Sequence, residues 1–132
     1  FAEELGAHAY IDSTADDVAA RLQALGGAQA VLATGTGIDG LPAAINALTR
    51  EGRLIMLGVP REPLPVYAFQ VLYGRAITGS AGGTGIESED TMRFAALTGV
   101  RPVIETYPLD KAPEAFARMM AGAARLRVVL VP

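Results

Sequence analysis

The chain has 132 residues, 51% of them hydrophobic and 19% charged, which excludes disorder and is enough to bury a core. A formal net charge of -3 and a pI near 5.1, with no basic, aromatic-studded patch, argue against a nucleic-acid backbone or an anionic membrane as partner. With no cysteine and one histidine, His8, the chain cannot form disulfides or assemble a Cys/His zinc site alone. No apolar run approaches the ~20 residues of a membrane span, and the first residues are not signal-like, so a cytoplasmic location is expected. The apolar composition also leaves room for a face covered by a partner. The chain starts at Phe1, within an apparent helix end closed by Gly6, and is read as a piece of a longer polypeptide.

In chain order, Ala7–Ile11 reads as a short apolar strand, with Asp12, Ser13 and Thr14 supplying turn and cap oxygens. Lone His8 at its entrance makes a poor metal ligand. Val18, Leu22 and Leu25 fit one face of a helix over Ala15–Leu25 that ends at Gly26 and Gly27. Ala28–Thr34 is a strand. It runs into Gly35-Thr36-Gly37-Ile38-Asp39-Gly40 and a helix over Leu41–Arg50 with Leu41, Ile45 and Leu48 on one face. A G-x-G-x-x-G between strand and helix, with Glu62 past the next strand, matches a pyrophosphate turn followed by a ribose-binding acid. The same pattern also fits an ordinary Gly-rich turn of a parallel sheet.

Gly52-Arg53-Leu54-Ile55-Met56-Leu57-Gly58-Val59-Pro60 is the most informative stretch. An apolar run from Leu54 to Gly58, entered by Gly and closed by Gly-Val-Pro, reads as a strand buried on both faces in the middle of a parallel sheet. The ends of such strands are where doubly wound folds place ligands, which makes Leu57, Gly58 and Val59 candidate contacts. A short helix over Val66–Tyr73 and a strand over Ala76–Ser80 follow, and the strand leads into a loop with four glycines between Gly79 and Gly85. That loop could let a flat ligand approach the backbone, or simply be a connection.

Ile86–Leu97 is a helix with acids at its start, apolar contacts from Met92, Phe94 and Leu97, and Gly99 at its end. Val103–Tyr107 is extended, Lys111–Ala121 helical, and Val128–Val131 the last strand. Arg127, directly before that strand, is either a surface ion-pair residue or a phosphate ligand. No nucleophile with a neighbouring base and no paired carboxylates are visible, so no catalytic residue is assigned. The strand-helix-strand rhythm gives an α/β fold with a parallel sheet.

Taken together, Leu5-Gly6-Ala7 with Ile11-Asp12, Gly52–Pro60, Ile77-Thr78-Gly79-Ser80, Phe94–Ala96 with Val100–Leu109, and Arg127–Leu130 occur in an order and spacing that resemble the C-terminal part of the medium-chain dehydrogenase/reductase family. The resemblance is close to the zinc-dependent alcohol dehydrogenases. It implies the second half of a doubly wound, Rossmann-like parallel sheet in residues 1–82, as a partial dinucleotide-binding domain. Residues 83–132 would return to complete the catalytic domain.

Catalytic zinc ligands, proton-relay residues and the true glycine fingerprint would then lie outside this chain, and Gly35–Gly40 would fall on the fourth strand of the family's sheet. By that alignment Ala33 and Thr34 border the adenosine of NAD or NADP, and Leu57, Gly58 and Val59 lie along the nicotinamide, with the Leu57 carbonyl on the carboxamide. Ser80 and Gly82 hold the same carboxamide through backbone groups, and Arg127 reaches the pyrophosphate. The implied activity of the parent is hydride transfer between an alcohol or aldehyde and the cofactor, assisted by zinc, with the isolated chain inactive. A homo-oligomer is implied, with Ala76–Ser80 near the subunit contact. The alternatives are a zinc-free reductase of the quinone oxidoreductase type, and a non-enzymatic nucleotide-binding or oligomerising module using Gly35–Gly40 as its phosphate loop.

Overall fold

A computed structural model describes residues Phe1–Pro132. The chain divides into two compact units, Phe1–Gly82 and Gly83–Pro132.

The first unit is built on three parallel strands in the order β1-β2-β3: β1 (Ala28–Ala33), β2 (Leu48–Met56) and β3 (Ala76–Gly79). As expected from its apolar run, the Leu54 strand is the central one. Helix α1 (Val18–Ala24) precedes β1, α2 (Leu41–Asn46) links β1 to β2, and α3 (Ala68–Val71) links β2 to β3. Asp17 caps α1 by accepting a hydrogen bond from the Ala20 amide at 3.0 Å, and half-buried Val18 and Leu22 turn towards the unit while Leu25 stays exposed. Gln23 on α1 donates to the Asn46 carbonyl at 3.1 Å, tying α1 to the end of α2.

The core lies on one face of the sheet. Ile45, Leu48 and Leu54 are fully buried, joined by Leu41 and Ala33 and flanked by Val31, Met56 and Ile77. Burying each of the three large side chains contributes about 1.5–3 kcal/mol. Val31, Leu54 and Ile77 pair in register across all three strands and so share this face. The next row, Leu32, Ile55 and Thr78, lies on the opposite face. There Leu32 is 62% exposed, Thr78 is exposed and Ile55 only half-buried. The expectation of a strand buried on both faces is therefore corrected: α2 covers one face, with α1 packed against α2, and the other face is left largely open.

Three further expectations are revised. Ala7–Ile11 forms no strand, because no neighbouring strand offers it a hydrogen-bonding ladder. The helix from Leu41 stops at Asn46, and Leu48–Arg50 already belong to β2. Ala28 pairs with Leu48 but Ala30 with Arg53, a register shift that accommodates Glu51 at φ +60. Leu48 thus reaches the core from a strand, a position that its helical spacing to Leu41 and Ile45 also fits. The helix expected over Val66–Tyr73 contracts to one turn, held by Gln70, which is 3% exposed. Gln70 accepts from the Tyr67 amide at 2.8 Å and donates to Asn46 Oδ1 at 2.6 Å.

In the second unit, α4 (Gly85–Thr98) begins with a capping box in which Thr84 and Glu87 satisfy each other's backbone groups, and it ends at Gly99 in the left-handed conformation, φ +73. Its apolar residues do not find the contacts expected of them: Ile86, Met92, Phe94 and Leu97 are 62–87% exposed. Strands β4 (Ile104–Pro108) and β5 (Arg127–Val131) are parallel. They are joined through a 3-10 turn (Leu109–Lys111) and α5 (Ala112–Met120), whose Ala115 is 2% exposed.

Candidate functional site

The carboxyl ends of β1, β2 and β3 lie side by side, since Ala33 pairs with Met56 and Met56 with Gly79. Thr34, Leu57 and Ser80 are therefore the next residues out, each leaving its strand at the same edge of the sheet. The Ala33 carbonyl accepts from both the Leu57 and Gly58 amides, each at 2.9 Å, and the Met56 carbonyl accepts from the Ser80 amide at 3.0 Å. These bonds lock the three exits together. Six of the sequence-derived candidates, Ala33, Thr34, Leu57, Gly58, Val59 and Ser80, belong to this edge, and Gly82 follows two residues after Ser80.

The lock determines which backbone groups remain available. Ser80 has committed its N–H, so of its backbone groups only the carbonyl can meet a ligand. The carbonyls of Leu57 and Ser80 accept no hydrogen bond within the chain, and the N–H of Gly82 donates none. Gly82 has φ +110, outside the range comfortable for other residues. Gly58 packs its backbone directly on that of Gly35, a contact that leaves no room for a side chain.

Gly35, Gly37 and Gly40 behave differently. None has a positive φ, and a β-carbon at any of them meets open space. A dinucleotide fingerprint uses its last glycine for close helix–strand packing. Gly40 shows no such constraint, and α2 behind it has only six residues. The turn does line a cleft of about 670 Å³ together with Val59, Arg61 and Glu62. Glu62 and Gly37 are thus brought to one cleft, which Asp39, a variable position of the glycine motif, and Arg61, which no periodicity or motif marks, also line; neither was singled out from the sequence.

Arg127 lies in the second unit, as the exposed first residue of β5. Behind it Glu105 accepts hydrogen bonds from Arg118 and from the Arg125 amide, which hold its carboxyl at about 2, well below the usual carboxylate range. Asp12 is lowered by the Thr14 hydroxyl and amide, and Glu87 by the amide and hydroxyl of Thr84. Asp12 holds a turn, Glu87 completes the cap of α4, and Glu105 ties α5 and the loop before β5 to β4. No group of three His, Cys, Asp or Glu side chains that could hold a metal ion is assembled, and no helix is long and apolar enough to cross a membrane.

A family model for zinc-binding dehydrogenases matches residues 1–99. An alcohol dehydrogenase of Penicillium expansum, patD, is 38% identical over 130 residues, covering 98% of this chain and 38% of that protein. An alcohol dehydrogenase of Geobacillus stearothermophilus is 32% identical over 131 residues, covering 98% of this chain and 39% of the relative. Among solved structures, the alcohol dehydrogenase of the archaeon Aeropyrum pernix superposes with a TM-score of 0.86 at 26% identity, over 99% of this chain and 39% of that one. The chain spans well under half the length of these relatives.

Proposed function

The chain belongs to the zinc-binding dehydrogenase family, and from that premise we propose that it is the C-terminal part of an oxidoreductase transferring hydride between an alcohol or aldehyde and NAD or NADP. In this reading, residues 1–82 are the second half of the dinucleotide-binding domain and residues 83–132 return to the catalytic domain.

The observation that carries the reading is the set of unused backbone groups at the sheet edge. Two free carbonyls, of Leu57 and Ser80, and one free amide, of Gly82, are the complement of a carboxamide, which offers two N–H donors and one acceptor. Gly58 and Val59 continue the same wall, Gly58 being held there by its backbone contact with Gly35. Ala33 and Thr34 border the adenosine, and Arg127 is suited to a pyrophosphate because a guanidinium can bridge two phosphate oxygens. When bound, the nicotinamide ring supplies the carbon that accepts or donates hydride. What these residues contribute is orientation, since a ring held by its carboxamide presents a fixed face.

The chain's own donors do not fit a zinc site, so no step through zinc is derived from it. In the parent, zinc ligands and proton relay come from other residues, and the homo-oligomer contact lies near Ala76–Ser80. The exposed surfaces support incompleteness. The accessible surface is 9941 Å². Two separate compact bodies dividing the same mass at Gly82 would together expose only about 7,900 Å². The excess is of the size of a permanent interface.

The test is alcohol-dependent reduction of NAD or NADP by the full-length protein and by the purified chain. Turnover is expected from the former alone. Turnover by the chain itself, or none by the full-length protein across a panel of alcohols, would overturn the reading.

A further inference from the structure

Glu105, the second residue of β4, accepts hydrogen bonds from two directions. Arg118 on α5 donates Nε to Oε2 at 2.6 Å and a terminal nitrogen to Oε1 at 3.2 Å, a two-pronged pairing of fixed geometry. From the loop ahead of β5, the Arg125 amide donates to Oε1 at 2.7 Å. The pair is partly shielded, with the Arg118 and Glu105 side chains 39% and 22% exposed, against 62–68% for the pairs on α4.

The loop end that Glu105 grips is under strain. Leu126 has φ +63, a left-handed conformation that puts its Cβ against the backbone, and the Arg127 amide turns back to the Arg125 carbonyl at 2.9 Å. Such a conformation persists only where the surroundings hold it. The β4–β5 ladder pairs Arg127 with Ile104 at its first rung and runs from there towards the C-terminus. On the N-terminal side the tether to Glu105 stands two residues away. We propose that Glu105, clamped by Arg118, is a positioning residue for Arg127: by pinning the Arg125 amide it holds Leu126 in the left-handed turn and fixes where the Arg127 side chain leaves β5. The inference rests on the reading of Arg127 as the cofactor's pyrophosphate ligand.

Glu105 touches no cofactor in this scheme, so its removal should weaken cofactor binding through Arg127 and through nothing else. The experiment uses the full-length protein with Glu105→Ala, Glu105→Gln, Arg127→Ala and the Glu105→Ala/Arg127→Ala double variant, each checked for folding by circular dichroism. The dissociation constant for the reduced nicotinamide cofactor is measured for each by fluorescence titration, beside the cofactor KM and kcat, and is expected to move with KM. Glu105→Ala is expected to raise the cofactor KM about tenfold with little change in kcat. Glu105→Gln, whose amide oxygen can still accept from Arg125, should restore most of the affinity. The double variant should be no worse than Arg127→Ala alone, because the two residues act in series.

If Arg127→Ala raises KM while Glu105→Ala does not, or if the two effects multiply, the positioning role is wrong and the phosphate-ligand reading survives. If Arg127→Ala itself leaves KM unchanged, the ligand reading fails and the positioning role fails with it. Should Glu105→Ala not fold, Arg118→Gln takes its place. A rise of about threefold is then expected, and a wild-type KM would overturn the proposal.

Discussion

Replacing Gly58 by alanine tests the seam on which the sheet edge depends. A β-carbon there would overlap the Gly35 carbonyl oxygen outright, with the Gly35 carbonyl carbon at 2.6 Å and the Thr34 oxygen at 2.9 Å. All three are backbone atoms, so no side chain can swing away to make room. Relief requires β1 and β2 to part at their carboxyl ends, which breaks the two bonds from the Leu57 and Gly58 amides to the Ala33 carbonyl. Losing two such bonds, with the strain of partial overpacking added, should cost about 2–4 kcal/mol. Gly35→Ala is the matched control, since a β-carbon on that side of the same contact meets open space. Urea denaturation followed by circular dichroism would compare the two variants with the parent chain. The steric reasoning is refuted if Gly58→Ala unfolds within about 0.5 kcal/mol of the parent, or if Gly35→Ala costs as much.

Gln70→Ala should destabilise the first unit by about 1–3 kcal/mol, because it removes a buried side chain whose two hydrogen bonds join the exposed residues Tyr67 and Asn46; an unchanged urea midpoint would argue that water replaces them. Glu105 has a folded-state value of about 2 against an ordinary 4.5, so its contribution to stability is present above 4.5 and is lost as pH falls through 4.5 towards 2. Thermal melts across that window should show a steeper acid loss for the parent than for Glu105→Gln, and parallel curves would contradict the assignment. Thr84→Ala removes the side-chain half of the α4 capping box and should cost that helix about 1 kcal/mol, visible as reduced helicity in circular dichroism.

Much of the architecture was legible because the decisive signals are local. The β2 run from Leu54, the Gly stops at Gly26 and Gly99, and the acid-rich start of α4 depend on neighbours within a few residues. What was not legible depends on distant partners. Ala7–Ile11 has the composition of a strand, but a strand exists only beside another. Leu48 satisfies both a helical face and a strand position, and only the register shift past Glu51 decides between them. The exposed faces of β2 and α4 carry apolar residues that read as core, because sequence pattern records burial without recording who does the burying.

The candidate site shows the same division. The ends of β1, β2 and β3 could be listed from turn residues alone, yet the commitment of the Ser80 amide to Met56, which leaves only its carbonyl free among its backbone groups, is a fact of strand geometry. The glycine turn after Thr34 shows the opposite failure. Its spacing matches a phosphate fingerprint, but none of its glycines is required by backbone angle or by a neighbouring atom.

Amide hydrogen exchange of the full-length protein, with and without reduced nicotinamide cofactor, addresses the proposed wall most directly. Strong protection of the Gly82 amide on cofactor binding is expected, while the amides of Thr36 to Gly40 keep their free-state rates. Protection confined to Thr36–Gly40, with Gly82 unaffected, would contradict it and place the phosphates on the turn instead.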